Sequence, residues 1–165
     1  MSIVPRPCVL IEFFGKERAD GESEEDVSLK RARAFQGDLG GVNKARLYFK
    51  SVARRLRLPE DLAYQIELAL VEVWTNIVRH AYPLGKGDFR VASWTEEDRL
   101  FFEVRDDGSP FDPRDFKEPD LERYAKEGGQ GGFGCFLISR LMDGVDYRRE
   151  NGENVLTLWK KLPSA

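Results

Sequence analysis

Residues 72–82 read Glu-Val-Trp-Thr-Asn-Ile-Val-Arg-His-Ala-Tyr, and this stretch closes the helix on which the core is built. The helix starts at Leu58-Pro59-Glu60-Asp61, where a proline in the first turn and acids near the positive end of the dipole favour helix initiation. It ends near residues 80–82, because Pro83 and Gly85 follow. Its apolar residues cover one broad face: Ile66, Leu70, Val73, Trp74, Ile77 and Val78. We therefore expect this helix to lie at the centre of the fold.

The same helix carries a polar ridge made of Glu72, Asn76 and His80, which follow one another at steps of four residues. Residues at this spacing lie along one face of a helix. A carboxylate followed one turn later by a carboxamide offers a general base beside an oxygen ligand for Mg²⁺, a cation that prefers hard oxygen donors. An ordinary solvent-exposed helix face explains the pattern as well.

A second motif, Asp106-Asp107-Gly108-Ser109-Pro110-Phe111-Asp112, follows directly after a predicted strand. Gly108 permits a tight turn of the backbone, and an Asp at the end of a strand can accept a hydrogen bond from the amino group of a bound base. A plain β-turn accounts for the segment equally well when it is taken alone.

A third motif is the glycine-rich run Gly128-Gly129-Gln130-Gly131-Gly132-Phe133-Gly134, which leads into a predicted short helix over residues 135–142. Free backbone amides and the positive end of the following helix suit a phosphate group. The run is not a Walker A loop, because no Lys-Ser or Lys-Thr follows it, and its spacing is not that of a dinucleotide-binding fingerprint. A flexible hinge is the alternative interpretation.

The remaining pattern predicts an edge strand at 27–35, a first helix at 41–57, a hairpin at 89–95 and 100–105, and a final hairpin at 145–149 and 155–161 across Asn151-Gly152. This order favours an α+β fold with helices layered on one face of a mixed or antiparallel sheet. Residues 3–14 predict a short peripheral strand, and the acidic, glycine-containing run at 15–26 predicts a solvated loop.

Composition excludes several function classes. The 165 residues contain 26 Lys and Arg against 29 Asp and Glu, so a net charge of −3 provides no general attraction to nucleic acid or to an anionic membrane. No run approaches the roughly 20 apolar residues of a membrane helix. His80 is the only histidine, which excludes a multi-histidine zinc site, and the two cysteines, Cys8 and Cys135, match no disulfide framework. We expect a soluble protein of the cytoplasm.

Taken together and in this order, the three motifs resemble the nucleotide-binding boxes of the GHKL ATPase superfamily. Within it, the chain is most similar to the small anti-sigma-factor serine kinases and related serine-protein kinases of bacterial partner-switching systems. The resemblance spans residues 27–162. It implies a Bergerat-type fold, a two-layer sandwich of a mixed, mostly antiparallel sheet with helices on one face, in a domain over residues 27–165 that follows an N-terminal extension over residues 1–26.

The resemblance also implies roles for single residues. Glu72 would be the general base and Asn76 the Mg²⁺ ligand, while Asp106 would contact the adenine amino group, with Gly108 allowing its close approach. The phosphates would be lined by Gly131, Gly132, Phe133 and Gly134. Residues 112–131 would form a lid that orders when the nucleotide binds, with Arg123 or Lys126 able to reach the γ-phosphate.

The function implied is that of an ATP- and Mg²⁺-dependent serine kinase. Its acceptor would be a STAS-domain anti-anti-sigma protein, it could also sequester a sigma factor, and homodimers are usual among the related kinases. The single histidine lies inside the first motif, which argues against autophosphorylation on histidine. A non-catalytic nucleotide-binding module is the alternative. Arg46, Lys50 and Arg54 share one helix face, which is either an ordinary solvated face or a docking surface for an acidic partner.

Overall fold

The computed structural model describes residues 32–82, 87–115 and 133–163. Its elements follow in chain order as β1 (Arg33–Gln36), α1 (Leu39–Arg55), α2 (Glu60–Asn76), a π-helical turn (Ile77–Ala81), β2 (Asp88–Glu96), β3 (Arg99–Asp106), α3 (Phe133–Leu141), β4 (Gly144–Glu150) and β5 (Glu153–Lys161). Both predicted hairpins are confirmed, as are the three helices. The strand at 3–14, the loop at 15–26 and most of the proposed lid lie outside the described residues.

The five strands form one sheet in the order β1-β2-β3-β5-β4, and every pairing in it is antiparallel. The last part of the edge strand predicted at 27–35 is confirmed, because β1 begins at Arg33 and lies at one end of the sheet; residues 27–31 lie outside the described residues. At the other end, Asn151 and Gly152 have φ values of 49° and 85°, as a tight hairpin turn requires. This turn sets the register between β4 and β5, and β5 in turn pairs with β3.

All three helices pack on one face of the sheet, so the predicted α+β sandwich is confirmed. On β3, Leu100, Phe102 and Val104 alternate toward the helices and are at most 1% exposed. Across the register, Leu158 pairs with Phe102 and Leu156 with Val104. Burial of each such side chain contributes about 1.5–3 kcal/mol, which makes this face the main source of stability.

The helices complete the core with large aromatic side chains. Phe49 of α1 lies 5.8 Å from Phe102 between ring centroids, and Trp74 of α2 lies 6.3 Å from Phe89. Trp74 is fully buried and lies in the turn between Glu72 and Asn76. The predicted central helix is thus anchored to the sheet at the level of its polar ridge.

The helix α1 begins two residues before its predicted start, because Asp38 caps it by accepting a hydrogen bond from the Gly41 amide at 2.7 Å. Its basic face, predicted as either a solvated face or a docking surface, is partly paired with the neighbouring helix. Arg46 forms an ion pair with Glu67 of α2 at 3.0 Å, and Lys50 approaches the same carboxylate at 3.9 Å. Arg54 is exposed and has no ion-pair partner among the described residues. None of the helices in the described ranges combines the length and apolar character needed to cross a bilayer.

Candidate functional site

The first motif ends in an unusual turn. After Asn76 the α-helix continues as a π-helical turn from Ile77 to Ala81, a geometry that is rare and is frequently found at functional sites. The carbonyl oxygen of Ala81 accepts a hydrogen bond from the amide of Ser109 at 2.9 Å. The end of the first motif is therefore joined directly to the second.

Gly108 is required at this junction by packing. A Cβ atom at this position would lie 2.4 Å from the Ala81 Cβ and 2.5 Å from the Ala81 carbonyl oxygen, which is far inside van der Waals contact. Sequence reasoning expected a glycine that permits a tight turn. The structure adds that its bare Cα lets the loop after β3 lie against the π-helical turn.

Asp106 ends β3 as a buried acid. Its Oδ1 accepts hydrogen bonds from the amide of Gly108 at 3.0 Å and from Asn154 Nδ2 at 2.9 Å. Burial raises the pKa of Asp106, and the two hydrogen bonds and the charge of Arg149 oppose that rise. Within the described parts of the chain, Oδ2 of this carboxylate has no hydrogen-bond partner.

A cleft of about 450 Å³, measured with its solvent-open part, lies between the end of α2 and the sheet. Its polar lining residues are Asn76, His80, Asp106, Ser109, Tyr147 and Asn154. Apolar side chains provide most of the lining: Val73, Ile77, Val104, Ile138 and Leu156. An apolar slot with a few fixed polar groups is typical of a site for a flat heterocyclic ligand.

The third motif meets the first at Gly134. The helix α3 begins at Phe133, two residues before its predicted start. Phe133 and Gly134 therefore lie in its first turn. A Cβ on Gly134 would lie 2.6 Å from Glu72 Oε2 and 3.5 Å from Asn76 Nδ2. The polar ridge of α2 therefore faces the N-terminal turn of α3, whose positive end favours negative charge. Gly131 and Gly132 lie outside the described residues.

Beyond the second motif, the chain is fastened to β4. Arg114 donates to both carboxylate oxygens of Asp112, to Asp146 Oδ1 at 3.0 Å and to the carbonyl oxygen of Tyr147 at 3.1 Å. The hydrogen bonds from Arg114 hold the pKa of Asp112 below its usual value. The start of the proposed lid is thus held in place.

Comparison with known proteins identifies the family. A family model described as a histidine kinase-like ATPase domain matches residues 35–160. The chain belongs to this family. Two relatives, each named serine-protein kinase RsbW, come from Halalkalibacterium halodurans and Bacillus cereus. The first is 35% identical over 125 residues, which cover 73% of this chain and 76% of the relative. The second is 32% identical over 115 residues, covering 67% and 72%.

The fold of this histidine kinase-like ATPase domain also matches a solved structure. The crystal structure of the RsbU and RsbW domains of Rv1364c from Mycobacterium tuberculosis aligns with a TM-score of 0.53 and 13% identity. The alignment covers 81% of this chain and 33% of that one. At this identity the match supports the fold alone. The predicted resemblance to GHKL serine kinases is confirmed by the family model and the RsbW relatives.

Three residues of the ATPase domain were missed by sequence reasoning: Asn154, Arg149 and Tyr147. Asn154 lies on β5 at a helix-facing position, in an alternation that continues with Leu156 and Leu158. A polar residue at the first place of an otherwise apolar alternation was the one available signal. Its partner could not be read from the sequence, because β3 and β5 are far apart along the chain.

The residues present fit an adenine nucleotide with a divalent cation. Oδ2 of Asp106 has no hydrogen-bond partner in the described ranges and is an acceptor beside a largely apolar cleft, as an exocyclic amino group requires. No cluster of three or more potential metal-binding His, Cys, Asp or Glu side chains occurs in the described ranges. Mg²⁺ needs no such cluster, because phosphates and waters complete its shell around one or two protein ligands.

Proposed function

We propose that this chain is an ATP- and Mg²⁺-dependent protein serine kinase whose acceptor is a serine on a STAS-domain anti-anti-sigma protein. The observation that carries the proposal is the placement of Glu72 and Asn76 against Gly134, beside the cleft that contains Asp106. Relatives that share about a third of the sequence are named serine-protein kinases, which supports the same activity. In this proposal residues 27–165 are the catalytic domain, which acts in the cytoplasm as a homodimer, and residues 1–26 are an extension.

Nucleotide binding is assigned to three groups of residues. Asp106 would accept a hydrogen bond from the adenine amino group, with Gly108 keeping the loop close. Asn76 would provide an oxygen ligand to Mg²⁺. Backbone amides would bind the phosphates at Gly131, Gly132, Phe133 and Gly134. The bound Mg²⁺–ATP supplies the transferable γ-phosphoryl group with part of its charge neutralised.

Glu72 is assigned as the general base. Its carboxylate lies where the first turn of α3 meets α2, and it would take the proton from the serine hydroxyl of the acceptor. Cys135 lies nearby, but burial and the neighbouring Glu72 raise the pKa of its thiol, which stays protonated and does not compete as a nucleophile. Phosphoryl transfer depends mainly on positioning and charge neutralisation, so one acid, one amide and backbone donors are sufficient.

The test is phosphoryl transfer from labelled ATP to the STAS-domain protein that is captured with this chain. We expect Mg²⁺-dependent labelling of an acceptor serine that Glu72→Gln abolishes while ATP binding persists. The matched control is Glu60→Gln, because Glu60 is an exposed carboxylate in the first turn of the same helix. An unlabelled acceptor, or full activity of Glu72→Gln, would show that the kinase assignment is wrong.

The same experiment separates the alternative function, a non-catalytic nucleotide-binding module that sequesters a sigma factor or another regulator. Such a module would bind its partner with unchanged affinity in Glu72→Gln and would leave no phosphate on it. The exposed end of the basic face, Lys50 and Arg54, is the surface that we assign to an acidic partner in either case.

A further inference from the structure

Asn154 lies in a row of polar residues that crosses three adjacent strands. In the register, Asn154 on β5 stands opposite Asp106 on β3 and opposite Arg149 on β4. Residues directly opposite one another on the same face of an antiparallel sheet are close enough to interact. Two members of this row, Asp106 and Asn154, line the cleft.

The amide group of Asn154 makes four hydrogen bonds, which is its full complement of two donated and two accepted. Nδ2 donates to Asp106 Oδ1 at 2.9 Å and to the Ser109 carbonyl oxygen at 3.0 Å. Oδ1 accepts from the Tyr147 hydroxyl and from Arg149 Nη1, both at 2.8 Å. Asn154 is buried, so a loss of any of these partners leaves a polar atom unsatisfied.

These bonds can be made in one orientation only. A guanidinium has no acceptor, so Arg149 forces the oxygen of Asn154 to face β4 and its nitrogen to face Asp106. Arg149 is held in turn by a second bond to the Gly108 carbonyl oxygen at 2.8 Å. The nitrogen of Asn154 and the Gly108 amide then occupy Oδ1 of Asp106, which leaves Oδ2 as the acceptor without a partner in the described residues.

We propose that Asn154, oriented by Arg149 and Tyr147, is a positioning residue that makes the site selective for a base with an exocyclic amino group. An amino group can donate to Oδ2, whereas a carbonyl at the same place would put two acceptors against each other. This inference rests on the proposed use of ATP and deepens it. It assigns base selectivity to a three-strand row that is set by the β4–β5 hairpin.

The experiment compares binding of ATP and of inosine triphosphate, in which a carbonyl replaces the amino group, to the purified chain by calorimetry. We expect the wild type to prefer ATP by at least about tenfold, as a hydrogen bond to a charged group provides. The preference should fall toward parity in Asn154→Leu and in Asn154→Asp, and partly in Arg149→Gln. The matched control is Arg148→Gln, which removes the same charge from the neighbouring residue, one that pairs with Glu103 and Glu150 instead.

A pH series distinguishes positioning from a general loss of structure. Because Asn154 and Arg149 hold the pKa of Asp106 down, their removal should move the loss of ATP binding on acidification to a higher pH. Asp107, Tyr82 and His80 also face this region, so the series is repeated with His80→Gln in each background as a control.

Two results would overturn the inference. One is a wild-type chain that binds both nucleotides equally. The other is a folded Asn154→Leu that keeps the wild-type preference and pH profile; if the Asn154 variants do not fold, an unchanged preference and pH profile in Arg149→Gln overturns it in the same way. No acceptor protein is present, so a failure of serine phosphorylation would be seen separately and would leave this measurement intact.

Discussion

The substitution Gly134→Ala tests the convergence of the first and third motifs. Gly134 lies in the first turn of α3, where alanine adopts the same backbone conformation without strain. The added methyl carbon would lie 2.6 Å from Glu72 Oε2, and ordinary contact begins at 3.4 Å. The carboxylate must therefore retreat by at least 3.4 − 2.6 = 0.8 Å.

We expect Gly134→Ala to lower the activity without lowering the stability. Glu72 Oε2 is the free end of a flexible side chain, so it can move at little cost, and alanine in place of glycine favours a helix by up to about 1 kcal/mol. A catalytic group displaced by about 1 Å loses about 10²-fold in rate, which is about 2.7 kcal/mol of transition-state stabilisation. We expect slower phosphoryl transfer from a protein at least as stable as the wild type.

The assay pairs single-turnover transfer to the proposed STAS-domain acceptor with urea unfolding of the same preparations. Ser139→Ala on the exposed side of α3 is the control, because its hydroxyl bonds only to the Phe136 carbonyl oxygen of its own helix among the described residues. If Gly134→Ala transfers phosphate within about a factor of three of the wild type, Glu72 does not act from the position described and the reasoning is refuted.

Further predictions concern the second motif, the ion pair between Asp112 and Arg114, and the basic face of α1. Gly108→Ala places a methyl group 2.5 Å from the Ala81 carbonyl oxygen, which cannot move aside because it belongs to the backbone. Thermal unfolding should therefore show a loss of about 1–3 kcal/mol in the free energy of unfolding, together with weaker ATP binding. Unchanged stability would contradict the packing described at this junction. Asp112→Asn should destabilise the protein at pH 7 and should be as stable as the wild type in acid. The reason is that Arg114 lowers the pKa of Asp112, so the stabilising charge of Asp112 is lost as the pH falls through that pKa. Urea unfolding midpoints across pH measure this effect, and a difference between the two proteins that does not change with pH would exclude it. Charge reversal at Lys50 and Arg54 should slow partner association and reduce its salt dependence; unchanged rates in stopped-flow mixing would exclude this face.

Secondary structure was predictable where local chemistry decided it. The alternation Leu100, Phe102, Val104 and the Asn151-Gly152 turn predict strands and a hairpin close to those observed, because these signals act within a few residues. The predicted start of α3 was two residues too late, because Phe133 and Gly134 belong to the glycine-rich run in the sequence. The packing of Gly134 against α2 is a tertiary contact that the local sequence does not contain. The π-helical turn has no sequence signal of its own, and its last residue, Ala81, is hydrogen-bonded to Ser109 in a distant loop.

The sequence by itself determined which residue types are available for chemistry: Glu72 and Asn76 one turn apart, Asp106 at a strand end, and a glycine-rich run before a helix. Only the tertiary structure decided their partners. Asn154 meets Asp106 because β5 pairs with β3, and Glu67 neutralises Arg46 because α2 lies beside α1. Periodicity is a local property that neighbouring residues impose on one another. Strand order and helix packing depend on contacts between distant residues, which no short window of sequence contains.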